Sequence, residues 1–521
     1  MGWVLLGREV AVVADRLDES QERAVVCTAL GEYAGAVRDG VAVFKGIPYA
    51  RPPFGRLRFQ APEPVGPHEG VRSCLTFGPT APKAPYPPPL DDLLVEPVIP
   101  GQDYLNLNIW TPVDALTAGS PGGRPVLVWV HGGAFAHGSG AVPIHSGQAF
   151  ARDGVVCVTI NYRLGVDGFL LLDGVPANRG LLDQVAALEW VRDHIAAFGG
   201  DPARVTVAGE SAGAMSVSTL MAMPAAAGLF HQAITESGAA SHVLGPVVAR
   251  RVAAEVAAEL GVEPTAAAFA VIEPDELIAA QERVSARLAR DRDPQKWAEL
   301  VLNAMPFEPV IDGEVVPAAP LELIRAGAGS GVRLLTGSNR EEMTLFLAPA
   351  GVLERADDAA LALVAASYGL PPDGVEVYRR HRPGATAGEL IVDVVTDWFF
   401  RVPAIRVAEA RAGSAGAAPT YLYEFQWRTP QWEGRLGATH GLEVAFVFDT
   451  VDDPAGEPLI GKSPPQALAD EMHRAWVAFV RTGEPGWPAY AADRLVMTFA
   501  EPSVLDADPR GETREAWSGR R

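Results

Sequence analysis

Gly209-Glu210-Ser211-Ala212-Gly213 has the pattern G-x-S-x-G. Arg204 to Ala208 before it reads as a buried strand, and Ala212 to Met223 after it as a helix. A sharp strand-to-helix turn pushes a serine side chain out of the sheet, and flanking glycines let the backbone make that turn. The helix N-terminus then aims free N–H groups at whatever the serine binds. A Gly-rich turn can hold a serine for no chemical reason, but chance rarely puts one between a strand and a helix. The chemistry to which this points is nucleophilic attack by Ser211, which needs a base and donors for an oxyanion.

His131-Gly132-Gly133-Ala134-Phe135 follows directly on an apolar run, Pro125 to Val130. Its small residues leave backbone N–H groups open to a ligand. In an α/β-hydrolase such a loop supplies oxyanion donors, and the residue after the serine, here Ala212, supplies another. The same fold orders its triad as serine, acid, histidine. Five histidines follow Ser211. His231 and His242 come too soon to leave room for an acid on an intervening strand. His381 sits among Arg379, Arg380 and Arg382, and His473 lies on an amphipathic helix. His440 remains, in the Gly-flanked stretch Gly437-Ala438-Thr439-His440-Gly441. The acid belongs just past a strand, where Arg333 to Thr336 leads into Gly337-Ser338-Asn339-Arg340-Glu341-Glu342. Position alone leaves Glu341 and Glu342 open.

The elements that must carry these groups alternate. Val155 to Ile160 and Tyr421 to Phe425 read as further strands. Leu182, Val185, Ala186, Leu188, Val191 and Ile195 recur at helical spacing within Leu181 to Phe198. Short apolar strands separated by helices predict an α/β fold, a mostly parallel sheet covered on both faces. Val247 to Leu260 and Ala266 to Leu288 read as helices with no strand between them, an insertion over the sheet. The expected organisation is an N-terminal extension over residues 1–24, then one catalytic domain over 25–521 with helical insertions around 240–305 and 340–400. Ala81 to Pro100 carries seven prolines and predicts an irregular loop.

Composition narrows the function classes. The 521 residues are 48% apolar and 21% charged, the proportions of a globular protein. A net charge of −21 repels phosphate backbones and anionic lipid, which disfavours nucleic-acid and membrane partners. Cys27, Cys74 and Cys157 are too few for a disulfide framework and show no C-x-x-C spacing. Val10 to Ala14 is too short and too closely flanked by charge for a signal peptide, and no window reaches the ~20 apolar residues of a membrane span. No asparagine has a Ser or Thr two positions on, so no N-glycosylation acceptor exists. The expectation is a soluble, cytoplasmic protein.

From about Val25 to Tyr490 the chain resembles the type-B carboxylesterases, which include cholinesterases, mammalian carboxylesterases and bacterial para-nitrobenzyl esterases. The resemblance is carried by Phe44-Lys45-Gly46-Ile47-Pro48-Tyr49-Ala50, Arg58-Phe59, Asn161-Tyr162-Arg163-Leu164-Gly165 and Asn178-Arg179-Gly180-Leu181-Leu182-Asp183-Gln184. It continues in Phe198-Gly199-Gly200-Asp201-Pro202, Gly228-Leu229-Phe230, Glu236-Ser237-Gly238 and His440-Gly441 with Glu443 and Phe446-Val447-Phe448. It implies a serine carboxylesterase of the α/β-hydrolase fold, working through an acyl-enzyme with Ser211 as nucleophile, Glu342 as acid and His440 as base. It implies oxyanion donors at Gly133, Ala134 and Ala212, with Glu210 and Ser237 supporting the triad. The implied partner is a small ester, with no metal or organic cofactor; the oligomeric state is left open, a monomer included. An acyltransferase would use the same acyl-enzyme, and a non-catalytic relative of the neuroligin type would lack triad members that are all present here.

Several positions depart from the family pattern. Tyr104 and the Thr80-Ala81 region stand where secreted members form their first disulfide. Gln102 replaces a glutamate, so an ion pair from Arg58 either uses Asp103 or is lost. Met343 replaces the glycine after the acid, and His68 a tryptophan. Where relatives restrain a loop over the entrance, Ala81 to Pro100 carries Tyr86, Leu90, Leu93, Leu94, Val95 and Ile99, with Asp91, Asp92 and Glu96 expected at the rim. The expectation is that this loop borders the pocket, selects neutral, bulky esters and disfavours anionic ones.

Overall fold

The computed structural model describes residues 22–117, 122–291, 293–414 and 416–520. Most of the expected N-terminal extension, including Val10 to Ala14, lies outside the described residues.

Thirteen strands among the described residues form one sheet: β1 (Arg23–Thr28), β2 (Gly31–Arg38), β3 (Val41–Pro48), β4 (Val71–Ser73), β5 (Asn106–Pro112), β6 (Arg124–Val130), β7 (Val156–Ile160), β8 (Gly200–Glu210), β9 (Gln232–Glu236), β10 (Arg333–Asn339), β11 (Thr420–Phe425), β12 (Leu495–Phe499) and β13 (Val504–Ala507). Their order is β1-β2-β3-β5-β7-β6-β8-β9-β10-β11-β12-β13, with β4 paired to β2. From β7 to β12 every pairing is parallel. Along that order the pairings from β1 to β7 are antiparallel, as is β12 with β13, while the side pairing of β4 with β2 is parallel.

The sheet is therefore mixed, with a parallel centre and antiparallel flanks. Along β1 buried positions alternate with less buried ones, the pattern of a strand with one open face. Asp39 and Gly40, with φ of 50° and 76°, make the two-residue turn that joins β2 to β3, so no crossover helix is needed there. The central strands β5, β7, β9 and β11 are buried at every residue, as sheets covered on both faces require. Along β6, Val126, Val128 and Val130 enter one apolar core while Leu127 and Trp129 enter the other, the two-residue alternation of a strand between helical layers.

Helix Arg179–His194 covers the sheet and passes into a tight turn, Ile195–Phe198. The stretch expected as one helix from Ala266 to Leu288 is two, Ala266–Ala270 and Pro274–Leu288. Pro274 has no N–H to continue a helix, but its fixed φ suits the first turn of a new one. Arg163 and Asp183 form a buried two-pronged pair, at 2.8 Å and 2.7 Å, that ties β7's exit to this helix. Arg58 does not use Asp103. Its Nε donates to Asp167 at 3.2 Å and another guanidinium nitrogen to the carbonyl of Ile272 at 2.5 Å, contacts made by chain segments remote in sequence. The three cysteines are free. Among the described residues no helix is long and apolar enough to cross a membrane.

Candidate active site

Ser211 sits between β8 and helix Ala212–Leu220 with φ 55° and ψ −124°, a left-handed turn unusual outside glycine. The glycine on its far side is a packing requirement: a Cβ on Gly213 would lie 2.0 Å from the carbonyl oxygen of Val130. Helix and strand touch there, and this contact fixes how far the serine rises above the sheet.

The loop after β6 is bent just as sharply. Gly133, Ala134, Phe135 and Gly138 have φ of 112°, 51°, 61° and 89°. The carbonyl of Gly133 accepts from Ala136 and His137 N–H groups at 2.9 Å and 2.8 Å, and that of Phe135 from Gly165 at 2.7 Å. The N–H groups of Gly133, Ala134 and Ala212 donate to no protein acceptor among the described residues. Gly133, Ala134 and Ser211 line the same cavity. His131, buried on the same loop, stacks on Tyr162 with ring centres 4.4 Å apart, and burial lowers its pKa to about 3, which makes it a neutral wall.

His440 Nδ1 lies 2.6 Å from Glu342 Oε2. The other oxygen of Glu342 accepts the Asn339 N–H at 2.7 Å. Glu341 turns the opposite way: it pairs with Arg428 and accepts the Ala438 N–H at 2.8 Å, pinning the loop that carries His440. The adjacent carboxylates thus separate, Glu342 onto the imidazole and Glu341 onto the loop backbone. Met343 has φ −74°, a conformation that needs no glycine, and its N–H donates to Thr396 Oγ1 at 3.2 Å. The rings of Phe400 and Phe346 flank the imidazole at 4.7 Å and 5.5 Å.

The second imidazole nitrogen, Nε2, lies 3.0 Å from Glu210 Oε1, too far off line for a well-formed hydrogen bond, and makes none to Ser211 Oγ. The histidine is thus held between two carboxylates. Burial opposes its cation, but Glu210 and Glu342 outweigh burial and raise its pKa to about 9. Burial raises Glu210 to about 7, with His440 pulling the other way. Below them lies Glu443, raised to about 8 mainly by burial. It accepts from Ser237 Oγ at 3.0 Å and from Asn339 Nδ2, so Ser237 is linked to Glu342 only through Glu443 and Asn339 and makes no hydrogen bond to it. Residue patterns alone assign no role to Asn339 or Glu443; the nearest signal is their place beside Glu342 and His440 in the two loops.

None of the other late histidines joins the site. His231 and His381 are exposed, His242 packs on Phe399, and His473 bonds the Val447 carbonyl at 2.7 Å and lies 3.1 Å from Asp153. Among the described residues no group of three or more His, Cys, Asp or Glu side chains is arranged to hold a metal.

Above Ser211 and His440 lies a cavity of about 170 Å³. Leu90, Leu93, Leu94 and Val95 of the 81–100 loop form part of its wall, opposite Phe346 and Leu459. That loop is irregular apart from one short turn, Leu90–Asp92. Without a disulfide its base is closed by Thr80 and Ile99, which exchange bonds of 3.0 Å and 3.1 Å, and by Lys83 Nζ donating to the Pro97 carbonyl at 3.3 Å. Asp91 and Asp92 are exposed. Glu96 is not at the rim: it turns inward, 6% exposed, and accepts the N–H of Gly138. The inward turn satisfies a backbone donor that the left-handed bend at Gly138 would otherwise leave buried and unpaired.

Residues 22–514 match the carboxylesterase family. The chain is 35% identical to para-nitrobenzyl esterase of Bacillus subtilis, an alignment covering 94% of this chain and 98% of that one. It is 36% identical to phenmedipham hydrolase of Pseudarthrobacter oxydans over 94% of this chain and 96% of the relative. A solved para-nitrobenzyl esterase superposes with a TM-score of 0.80 at 34% identity, over 94% of this chain and 99% of the other. A carboxylesterase of Geobacillus stearothermophilus superposes with a TM-score of 0.81 at 36% identity, over 95% and 100%. With its α/β-hydrolase fold, this chain belongs to the carboxylesterase family and is a carboxylic ester hydrolase.

Proposed function

We propose that Ser211, His440 and Glu342 form the catalytic triad and that hydrolysis passes through an acyl-enzyme. The observation that carries this is the 2.6 Å contact of buried Glu342 with His440, which lines the same cavity as Ser211. With an ester bound, Nε2 turns from Glu210 to the serine hydroxyl and takes its proton as Oγ attacks the carbonyl; such bonds are often loose before substrate arrives. The backbone N–H groups of Gly133, Ala134 and Ala212 receive the oxyanion. Glu342 holds the imidazole in the right tautomer and stabilises the cation that forms, and Glu210 adds a second negative charge beside it. The alcohol leaves with the proton from His440. Water, activated by the same histidine, then releases the acid. Three unused N–H donors and a base at the floor of an apolar cavity suit neutral, fairly bulky esters. We also read residues 25–521 as one catalytic domain.

The test is labelling by a fluorescent organophosphonate together with Ser211→Ala. The expected outcome is one labelled serine in the native enzyme, no label in the variant, and a loss of turnover on the order of 10⁶ with the melting temperature retained. A Ser211→Ala enzyme that keeps more than a few per cent of its activity refutes the assignment.

A further inference from the structure

Glu96 has no part in the chemistry described above, yet it is a buried carboxylate beside the catalytic cavity. One oxygen accepts the Gly138 N–H. The other has no hydrogen bond: the nearest ring nitrogen, Nδ1 of His137, is 3.7 Å away and already bonded to the Ala84 carbonyl at 3.1 Å. Lys83, the nearest cation in the loop, spends its ammonium on the Pro97 carbonyl. A half-satisfied buried carboxylate is expensive, and packing alone would be served better by Leu or Met. Its distinctive contribution is the acceptor that it presents to Gly138.

The segment it reaches needs support. Ala134 and Phe135 are non-glycine residues in the left-handed region, each costing roughly 1–2 kcal/mol, and such backbone persists only where its surroundings hold it. From the sheet side it is held by the Gly165 N–H on Phe135 and by the Phe135 ring on Phe169, 4.9 Å between centres. From the solvent side, Glu96 is the one side chain among the described residues that accepts an N–H from positions 133–138. It follows Leu93 and Leu94 on the same loop, so whatever moves the cavity wall also moves this anchor.

We propose that Glu96 is a positioning residue for the oxyanion hole, and that through it the 81–100 loop tunes transition-state stabilisation as well as shaping the cavity. This rests on the reading that Gly133 and Ala134 receive the oxyanion. A displacement of about 1 Å in a catalytic group costs up to about a hundredfold in rate. Glu96→Ala is therefore expected to lower kcat for a para-nitrophenyl ester about ten- to a hundredfold while KM moves less than about threefold. Glu96→Gln, whose amide oxygen still accepts from Gly138, is expected to stay within about threefold of the native kcat. Affinity for an aryl trifluoromethyl ketone, which places an oxyanion in the hole, should fall in step with kcat/KM. Affinity for the matching alcohol, which only fills the cavity, should not. Should Glu96→Ala fail to fold, Glu96→Asp draws the acceptor back by one methylene and must show the same kcat loss.

A loss confined to KM, equal losses of ketone and alcohol affinity, or a Glu96→Gln enzyme as slow as Glu96→Ala each overturns the proposal. Phosphonate labelling separates it from the reading on which it rests. An unlabelled native enzyme sinks the triad, whereas a labelled enzyme indifferent to Glu96→Ala sinks only the positioning role.

Discussion

Replacing Glu210 by glutamine should lower the pH at which the enzyme becomes active. His440 must be neutral to take the serine proton, and in the resting site it lies 2.6 Å from Glu342 and 3.0 Å from Glu210. The rise of its pKa from 6.5 to about 9 is worth about 3 kcal/mol in favour of the cation. Burial opposes that rise, so the two carboxylates together supply more than this net figure. The Glu210 charge is the largest single contribution that favours the cation, ahead of Glu342 and Glu443, so removing it lowers the midpoint by at least about one pH unit. The assay is kcat/KM for a neutral ester between about pH 5 and pH 10. The native acid limb should be centred well above 6.5, and the Glu210→Gln limb displaced downward, with a lower plateau because the imidazolium formed in the transition state has lost a neighbouring charge. Superimposable limbs, or a limb displaced upward, would refute the carboxylate sandwich as the cause. Stability carries the same signature. A histidine that holds its proton more tightly when folded adds stability that is complete below about pH 6.5 and lost as the pH rises through about 9. Glu210 and Glu443, raised to about 7 and about 8, act in the same direction, each costing stability as the pH climbs from about 4.5 to its own value.

Glu342→Gln should slow acylation in single turnovers by about 10³–10⁴, the order seen when a triad acid is neutralised, while Glu341→Gln should act mildly on the chemistry and mainly lower the melting temperature. The opposite order would mean that Glu341 carries the imidazole. Leu94→Ser should change the ratio of kcat/KM for a short aryl acetate to that for a bulky aryl ester, because Leu94 lines the cavity; Leu93 is a poorer probe, since it is 4% exposed and also packs in the core. A constant ratio would place substrate away from that loop. Gly213→Ala would put a methyl 2.0 Å from the Val130 carbonyl, and thermal melting should show a loss above about 3 kcal/mol or no folded protein. A variant that melts like the native chain would show that helix and strand can part there.

The strand–turn–helix around Ser211 was legible in the sequence because its geometry is local. Within five residues, G-x-S-x-G between a strand and a helix encodes both the bend and the close approach that make it. The parallel centre was legible because buried strands must be continuous apolar runs. The antiparallel β1 to β3 flank was not foreseen, because the short apolar runs Ala24 to Cys27 and Val41 to Phe44 do not say which way strands pair; the Asp39-Gly40 turn between them does. Position alone left Glu341 and Glu342 open and the resemblance pointed to Glu342; the contact itself is made by the tertiary structure. Neighbouring residues diverge, and which of them meets His440 depends on how a loop about a hundred residues later is laid against β10. The same holds for Arg58, which finds Asp167 at a separation of 109 residues, and for Glu96, which looks like a rim charge until the loop after β6 is folded beside it. The resting contact of His440 with Glu210 is likewise a product of burial. In water two carboxylates and an imidazole would be solvated apart, and only the closed floor of the cavity brings them into one electrostatic unit.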